Sequence, residues 1–335
     1  MNKQNFNIYV SLMNRIGIAM LINQLLFHLL GSGFNMLERL LSAQREAFAA
    51  VDAMLLTVKC AVYIVSFVVP VAVFNRLNKN ADREIYEPVD MGGGASKKQM
   101  LVMLFIGLGM TKAFAYINHY IVNIFSDYSD FSDEAFWQVE LDHPYQILIY
   151  FVYVAIIPAV VEELLFRGTV CKVLRVYGKE TAIIVSAVLF ALMHTNIEQL
   201  LYTFVAGAFL GWIYVETGSL IYPMLLHFIN NGLSVLTRVV YERCSPAIYN
   251  KLTFFIDDVV YGAMAVCLVI YLVDALHEEG FIKPLRLKPD ENGEEVLPLT
   301  AGERVRGFFS IANILFVLYS VAIMGFYLYL STLKR

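Results

Sequence analysis

Long apolar segments decide what this chain can fold into. A helix needs about 20 apolar residues to cross a bilayer. Nine segments approach or exceed that length: residues 10–32, 50–75, 99–125, 145–170, 180–195, 198–216, 219–241, 254–276 and 308–331. Strands of a membrane barrel alternate between apolar and polar residues, whereas stretches such as "AVCLVIYLV" (265–273) do not. Because a helix satisfies its own backbone polar groups in lipid, the sequence predicts an all-α, polytopic transmembrane helical bundle of about eight or nine helices.

The composition supports a membrane location. Only 16% of the 335 residues are charged and 59% are hydrophobic, whereas soluble domains contain about 25% charged residues. The first apolar segment contains polar residues that are not typical of a cleavable signal peptide; they are Asn14, Arg15, Asn23, Gln24 and His28. We therefore expect a retained first helix. Segment 180–195 is short, and the sequence leaves open whether residues 180–216 span the membrane fully or form a re-entrant hairpin.

The basic residues predict the orientation of the bundle. Loops 76–98 and 277–307 each contain five Lys and Arg residues, whereas loop 126–144 contains none and has six Asp and Glu residues. Since cytoplasmic loops are enriched in Lys and Arg, the first two loops and the N-terminus are expected in the cytoplasm and the third loop outside. The turn at residues 172–179 then lies on the cytoplasmic side, which predicts cytoplasmic access to a site near it. The expected location is a bacterial cell membrane.

Intramembrane polar residues divide the chain into three parts. Nearly all of them lie in residues 145–243, which we predict to form a catalytic helical core. Residues 1–144 are predicted to contribute N-terminal transmembrane helices, and residues 244–335 C-terminal ones. Because charged side chains are costly inside a bilayer, those in the core are candidates for function.

Three charges occur in the apolar run "AVVEELLFRGTV" (159–170). Glu163 and Arg167 are four residues apart, so they lie on one helix face and can form an ion pair. Glu162 lies about 100° around the helix from Glu163, and we expect it to remain without that counter-charge. Such a carboxylate is available as a general base. A structural ion cluster near a helix end is the alternative interpretation of these residues.

Two histidines and an asparagine follow on the next apolar segments. His194 ends the stretch "FALMH", and His227 and Asn231 share one helix face in "HFINNG". Counted from the turn near residue 179, Glu162 and His194 come to nearly the same depth in an antiparallel hairpin. If the turns near residues 179 and 218 lie at the same depth in the membrane, the same counting places His227 nearer to the membrane surface than His194. Each of these residues alone is also typical of a hydrogen-bonded position between helices.

Together the polar residues form a set with a recognisable chemistry. A carboxylate, a histidine at its depth and a His/Asn donor pair are the groups needed for attack of an activated water on a carbonyl. The set predicts peptide hydrolysis inside the membrane or at its edge. Asn230 lies off the donor face and is the less favoured donor. Two alternatives remain open: an ion-coupled transporter that uses the Glu/Arg/His cluster, and a non-catalytic membrane immunity or scaffold protein.

The three motifs resemble those of a known family. E-E-x-x-x-R, F-x-x-x-H and H-x-x-x-N on successive helices are similar to the motifs of the CPBP intramembrane proteases, which include the CAAX prenyl endopeptidases of type II and the bacteriocin-processing Abi proteins. The resemblance covers residues 145–240. The matching positions are Glu162, Glu163, Arg167, Phe190, His194, His227 and Asn231.

The resemblance implies a role for each catalytic candidate. Glu162 and His194 would position and activate the water. His227 and Asn231 would stabilise the oxyanion. Some members of the family have been described as metalloproteases and others as glutamate-dependent enzymes without a metal. Two histidines and one glutamate form a plausible zinc set, so zinc bound by Glu162, His194 and His227 is a candidate cofactor.

The remaining matched residues are implied to support the site. Glu163 and Arg167 would pair, and Phe190 would pack beside His194. The expected partners are the lipid bilayer and a membrane-associated peptide or protein substrate, with no nucleic acid. The identity of the substrate, the importance of prenylation and the oligomeric state do not follow from the sequence.

Overall fold

The computed structural model describes residues 3–42, 44, 48–79, 96–124, 141–276 and 299–333, and within these residues it contains helices and no strand. In chain order the helices are α1 (Lys3–Leu40), α2 (Ala49–Asn78), α3 (Lys97–Ile124), α4 (Pro144–Tyr177), α5 (Lys179–Met193), α6 (Leu200–Thr217), α7 (Ile221–Arg243), α8 (Pro246–Ala275), α9 (Ala301–Phe308) and α10 (Ile311–Leu333). The all-α prediction is confirmed. Each predicted segment corresponds to one helix, and the short α9 is additional.

Seven of these helices are long and apolar enough to cross a membrane: α1, α2, α3, α4, α6, α8 and α10. The chain is therefore an integral membrane protein. Helix α5 has 15 residues and extends over about 22 Å, which is less than the hydrocarbon core of about 30 Å. Residues 180–216 thus form a hairpin of one short and one longer helix. The predictions for loops 76–98, 126–144 and 277–307 lie mostly outside the described residues.

Helix α4 carries the first motif and is not a uniform α-helix. Two π-helical segments, Val152–Ile156 and Phe166–Cys171, flank the α-helical segment Ile157–Leu165. Their hydrogen bonds run from residue i to i+5, and such segments are frequent at functional sites. Pro158 follows the first π segment and removes one backbone donor from the helix. The two glutamates of the motif are therefore held between two local widenings of α4.

The hairpin of α5 and α6 depends on glycines. Gly178 precedes α5 with a φ of 108°, and Gly218 ends α6 with a φ of 69°; both conformations favour a residue without a side chain. At Gly207 a Cβ would lie 3.1 Å from Phe190 Cδ1 and 3.2 Å from Ala187 Cα. The two helices therefore touch backbone to backbone at this point, as small residues allow in membrane bundles.

The polar residues of α1 connect it to the rest of the bundle. Asn23 Nδ2 donates to Ser66 O of α2 over 2.8 Å. Gln24 Nε2 donates to Met193 O at the end of α5, where the last carbonyls of a helix have no partner within it. Both side chains are buried, so these two polar residues of the first apolar segment form contacts between helices.

Helix α8 begins earlier than predicted. The predicted segment begins at residue 254, whereas the helix starts at Pro246, after Ser245 in an extended conformation. Proline is favoured in the first turn of a helix, and the segment chosen by hydropathy alone omitted this turn. Asp257 therefore lies inside α8, where its Oδ1 is 2.7 Å from Lys112 Nζ of α3.

Candidate active site

The central ion pair joins Glu163 and Arg167 within α4. Arg167 Nη1 donates to Glu163 Oε1 over 2.9 Å, and both side chains are fully buried. Arg167 Nη2 donates to Gly207 O over 2.8 Å, and its guanidinium carbon lies 4.9 Å from the centre of the Phe190 ring. The predicted pairing is thus present. Because a guanidinium has several donors in one plane, Arg167 also ties α4 to the hairpin of α5 and α6.

Glu162 has a different neighbourhood although it is the adjacent residue. Its side chain is buried, and its Oε1 accepts a hydrogen bond from the Tyr63 hydroxyl of α2. Its Oε2 has no hydrogen-bond partner among the residues that the structure describes. Tyr63 lies outside the three motifs, which do not predict it. A tyrosine within an apolar segment is the signal that points to it, because a buried hydroxyl usually has a hydrogen-bond partner.

His227 connects the two glutamates. Its Nδ1 lies 2.8 Å from Glu163 Oε1, and since an ionised carboxylate can only accept, Nδ1 carries the hydrogen. Its Nε2 lies 3.9 Å from Glu162 Oε2. Residue counting placed His227 too shallow for these contacts. The π segment Phe166–Cys171 lies between Glu163 and the turn. His227 nevertheless reaches the depth of both glutamates.

His194 lies at the C-terminal end of α5. Its Nδ1 donates to Phe190 O over 2.8 Å, which leaves Nε2 as the acceptor of a neutral ring. The His194 and Phe190 ring centres are 4.7 Å apart, as the resemblance implied. The next residue, Thr195, has a φ of 47°, in the left-handed region that β-branched residues rarely adopt. This conformation ends α5 directly after His194.

Asn231 has a fixed orientation. Its Nδ2 donates to Val154 O of α4 over 2.9 Å. Val154 belongs to the first π segment of α4. Asn231 Oδ1 accepts from Asn230 Nδ2 at 3.2 Å. One hydrogen of the Asn231 amide is therefore used by α4, and the second remains as a donor for the cavity that this residue lines.

Asn230, the less favoured donor, has contacts of its own. Asn230 lines the same cavity as Asn231, because the cavity extends around this side of α7. Its Nδ2 donates to the Tyr202 hydroxyl over 2.7 Å, and its Oδ1 is 3.4 Å from Thr111 Oγ1. Tyr202 and Thr111 belong to α6 and α3, and no local sequence pattern links them to α7. They orient Asn230, which in turn orients the amide of Asn231.

The site opens into a cavity of about 620 Å³. Five of the predicted residues line it, namely Glu162, Phe190, His194, His227 and Asn231. Glu163 and Arg167 lie behind its wall. Much of the remaining wall is aromatic, with contributions from Phe27, Tyr63, Phe67, Tyr150 and Tyr153. A cavity of this kind, mostly apolar with a few polar groups at one place, is typical of a ligand or substrate site.

The geometry does not fit the predicted zinc set. Within the described part of the chain, no group of three or more His, Cys, Asp and Glu side chains is placed so that it could hold a metal ion. Glu162, His194 and His227 line one cavity, but they do not form such a group. We therefore derive no step of the chemistry through a metal.

Comparison with known families supports the motif assignment. Residues 144–233 match the family model described as "Type II CAAX prenyl endopeptidase Rce1-like". The comparisons with curated proteins and with solved structures gave no match. The matched segment includes every predicted site residue from Glu162 to Asn231, and it confirms the resemblance to the CPBP and CAAX proteases. At the level of the family, the match and the membrane helices support an intramembrane CAAX-type protease.

Proposed function

We propose that this protein is an intramembrane endopeptidase that hydrolyses a peptide bond with a water molecule activated by Glu162 and His194. The observation that carries the proposal is the contrast between the two adjacent glutamates. Glu163 Oε1 accepts from both Arg167 and His227. Glu162 faces the cavity, and its Oε2 has no hydrogen-bond partner in the described residues. A carboxylate in this position can take a proton from water.

The proposed reaction needs only water and the peptide. The water donates one hydrogen bond to Glu162 and the other to Nε2 of a neutral His194. As Glu162 takes the proton, the water oxygen forms a bond to the carbonyl carbon, and the carbonyl electrons move to its oxygen. When the C–N bond breaks, Glu162 returns the proton to the leaving nitrogen. The products are a carboxylic acid and an amine.

Asn231 is the proposed donor to the oxyanion, through the amide hydrogen that Val154 does not use. His227 can join it only when both of its ring nitrogens carry hydrogen, because Nδ1–H already donates to Glu163. The carboxylates on either side, at 2.8 Å and 3.9 Å, would compensate the charge of that form. Donors aimed at the developing negative charge are among the largest contributions to acyl transfer.

The other predicted residues have supporting roles in this proposal. Arg167 neutralises Glu163, and Glu163 holds His227 in its orientation. The Phe190 ring packs against Arg167 and His194. The substrate is a membrane-associated peptide or protein, as is expected for a protease of this family, and its bond must reach the cavity between α4, α5 and α7.

The test compares peptides released from membranes that contain wild-type protein, Glu162→Gln or Glu180→Gln at matched expression. Glu180 is an exposed glutamate near the start of α5, so its substitution is a matched chemical control. Loss of a general base is expected to lower the release of specific peptides at least about 100-fold. Glu180→Gln is expected to resemble wild type.

A thermal unfolding curve in detergent shows whether Glu162→Gln is folded. If the folded variant releases the same peptides as wild type, Glu162 is not the base and the protease proposal fails. An unchanged biological function would then favour a non-catalytic immunity or scaffold protein. A change in ion dependence would favour the transporter.

A further inference from the structure

The two ends of the helix bundle differ in charge. At one end lies the turn at residues 172–179, and Lys179 pairs there with Glu216 at the end of α6 over 3.0 Å. Helix α9 lies at the same end, because Arg304 Nη1 donates to Thr181 Oγ1 over 3.1 Å. We call this the basic end because basic side chains are concentrated there, including Lys172, Arg175, Lys179, Arg304 and Arg306. Helix α7 terminates at the opposite end, and the shorter α5 ends before it.

Helix α1 relates the cavity to these two ends. Near the start of α1, the Tyr9 ring lies 4.7 Å from the Tyr177 ring, centre to centre, at the basic end. The residues of α1 that line the cavity lie between 27 and 35. They are therefore about 27 Å or more further along the helix than Tyr9. The wall contributed by α1 belongs to the half of the bundle away from the basic end.

Helices α4, α5 and α6 place most of the cavity wall in the same half, although Leu226 and His227 come from the first turns of α7. Helix α4 contributes residues from 150 to 162, in the part of the helix that is far from its end at Tyr177. Helix α5 contributes residues close to its C-terminus, and α6 contributes residues between 202 and 210. The rim includes Ser32, Gln199 and Ser234, all of which are exposed. In the described part of the chain, the mouth of the cavity therefore faces the end opposite the basic turn.

On the side of the basic end the site is closed. The residues of α4 that follow Glu163 in this direction include Phe166, Val170, Leu174 and Tyr177, each 0% exposed. Side chains packed at this density leave no room for a polypeptide. A substrate cannot approach Glu162 from the basic end without unfolding the last turns of α4.

We propose that the catalytic cavity opens on the outer face of the membrane, so that its substrate is a segment of a translocated polypeptide. The basic end is cytoplasmic by the distribution of Lys and Arg, and the mouth lies at the other end. The expectation of cytoplasmic access assumed that a site near the turn at residues 172–179 opens toward it, whereas the structure separates the two. The nature of the substrate rests on the proposed function, whereas the position of the cavity mouth does not depend on it.

The chain contains a natural probe for the orientation. Cys244 is an exposed cysteine between α7 and α8, at the end where the cavity opens, whereas Cys171 and Cys267 are buried and Cys60 is partly buried. A membrane-impermeant maleimide is applied to intact spheroplasts that express wild type, Cys244→Ser, or Cys244→Ser with Glu180→Cys. The single variant measures background labelling, and the double variant reports on the basic end.

Labelling of wild type in intact spheroplasts, with labelling of the Glu180→Cys protein only after lysis, is the expected result. The reverse pattern would place the mouth in the cytoplasm and overturn the inference. Neither pattern depends on protease activity, so this result is readable even if the proposed function fails.

A second variant tests the mouth itself. Gln199→Cys in the Cys244→Ser background is expected to be labelled from outside, and a bulky impermeant maleimide is expected to lower peptide release at least tenfold in that protein. The Cys244→Ser protein treated in the same way should be unaffected. If Gln199→Cys is not labelled in intact spheroplasts, or if labelling leaves peptide release unchanged, the substrate does not enter at this rim and the inference is overturned.

Discussion

Two ion pairs occupy apolar surroundings in this bundle, and they differ in what surrounds them. The pair of Glu163 and Arg167 is fully buried and is extended by His227 and Gly207 O. The pair of Lys112 and Asp257 joins α3 to α8, and its side chains are 22% and 15% exposed. The first pair is part of a network that reaches the cavity. The second connects two helices at a distance from the catalytic candidates.

This difference predicts unequal consequences of breaking the two pairs. Removing one partner of a buried pair leaves an uncompensated charge and costs about 3–5 kcal/mol. Ion pairs exposed to solvent contribute about 0–1 kcal/mol. We therefore expect the pair of Glu163 and Arg167 to be required for the fold of the site, whereas the pair of Lys112 and Asp257 only connects two helices.

The largest effect is expected for Arg167→Met. This substitution leaves Glu163 buried without its cation, so the free energy of unfolding in detergent should fall by about 3–5 kcal/mol. The double variant Glu163→Gln with Arg167→Met removes the uncompensated charge as well and should recover part of the loss. A single variant as stable as wild type, measured by denaturant titration, would show that the central pair does not hold the fold.

Tyr63→Phe is expected to affect catalysis more than stability. It removes the hydroxyl that donates to Glu162 Oε1, and a hydrogen bond to a charged group is worth about 1.5–3 kcal/mol. We expect kcat for peptide release to fall about tenfold or more, with KM nearly unchanged. Tyr177→Phe is the matched control, since the Tyr177 hydroxyl has no hydrogen-bond partner within the described residues. Equal activities of the two variants would remove Tyr63 from the site.

Lys112→Met should have a small effect. Asp257 keeps its hydrogen bond from Tyr116, and the pair is less buried than that of Glu163 and Arg167, so the loss in the free energy of unfolding should be smaller than the loss of about 3–5 kcal/mol expected for Arg167→Met. The measurement is the same denaturant titration as for Arg167→Met, and peptide release should remain at the wild-type level. A loss as large as that of Arg167→Met would abolish the distinction between the two pairs.

The smallest effect is expected at α9 and depends on pH. The backbone N–H and the hydroxyl of Thr300 donate to Glu303, and these hydrogen bonds hold the pKa of Glu303 below its ordinary value of 4.5. A carboxylate with a lowered folded-state pKa contributes stability above its unfolded pKa and loses it as the pH falls through the folded value. The difference in melting temperature between wild type and Glu303→Ala should therefore be present at neutral pH and vanish in acid. A difference that persists in acid would contradict this account.

Local rules of the sequence predict a large part of the molecule. Span length predicts the helices, and the i,i+4 spacing predicts the contact between Glu163 and Arg167. The start of α8 could also have been read from Ser245 and Pro246, which form a helix-start signal. These features depend only on residues that are close together in the chain.

Contacts between distant helices could not be predicted in this way. Tyr63 and Glu162 are 99 residues apart, and the rotation of α2 that brings them together is determined by packing along the whole helix. The contacts of Asn230 with Tyr202 and Thr111 have the same origin. The depth of His227 depends on how α7 packs against α4, which residue counting along ideal helices does not give.

The hydrogen bond between Asn231 and Val154 O has a consequence for the entropy of substrate binding. Because Asn231 Nδ2 donates to Val154 O of α4, the Asn231 amide is held in one orientation by the fold itself. Immobilising a side chain during association costs about 0.5–1.5 kcal/mol. Here that freedom is already lost when the protein folds, so a substrate meets a donor whose direction is set before binding begins.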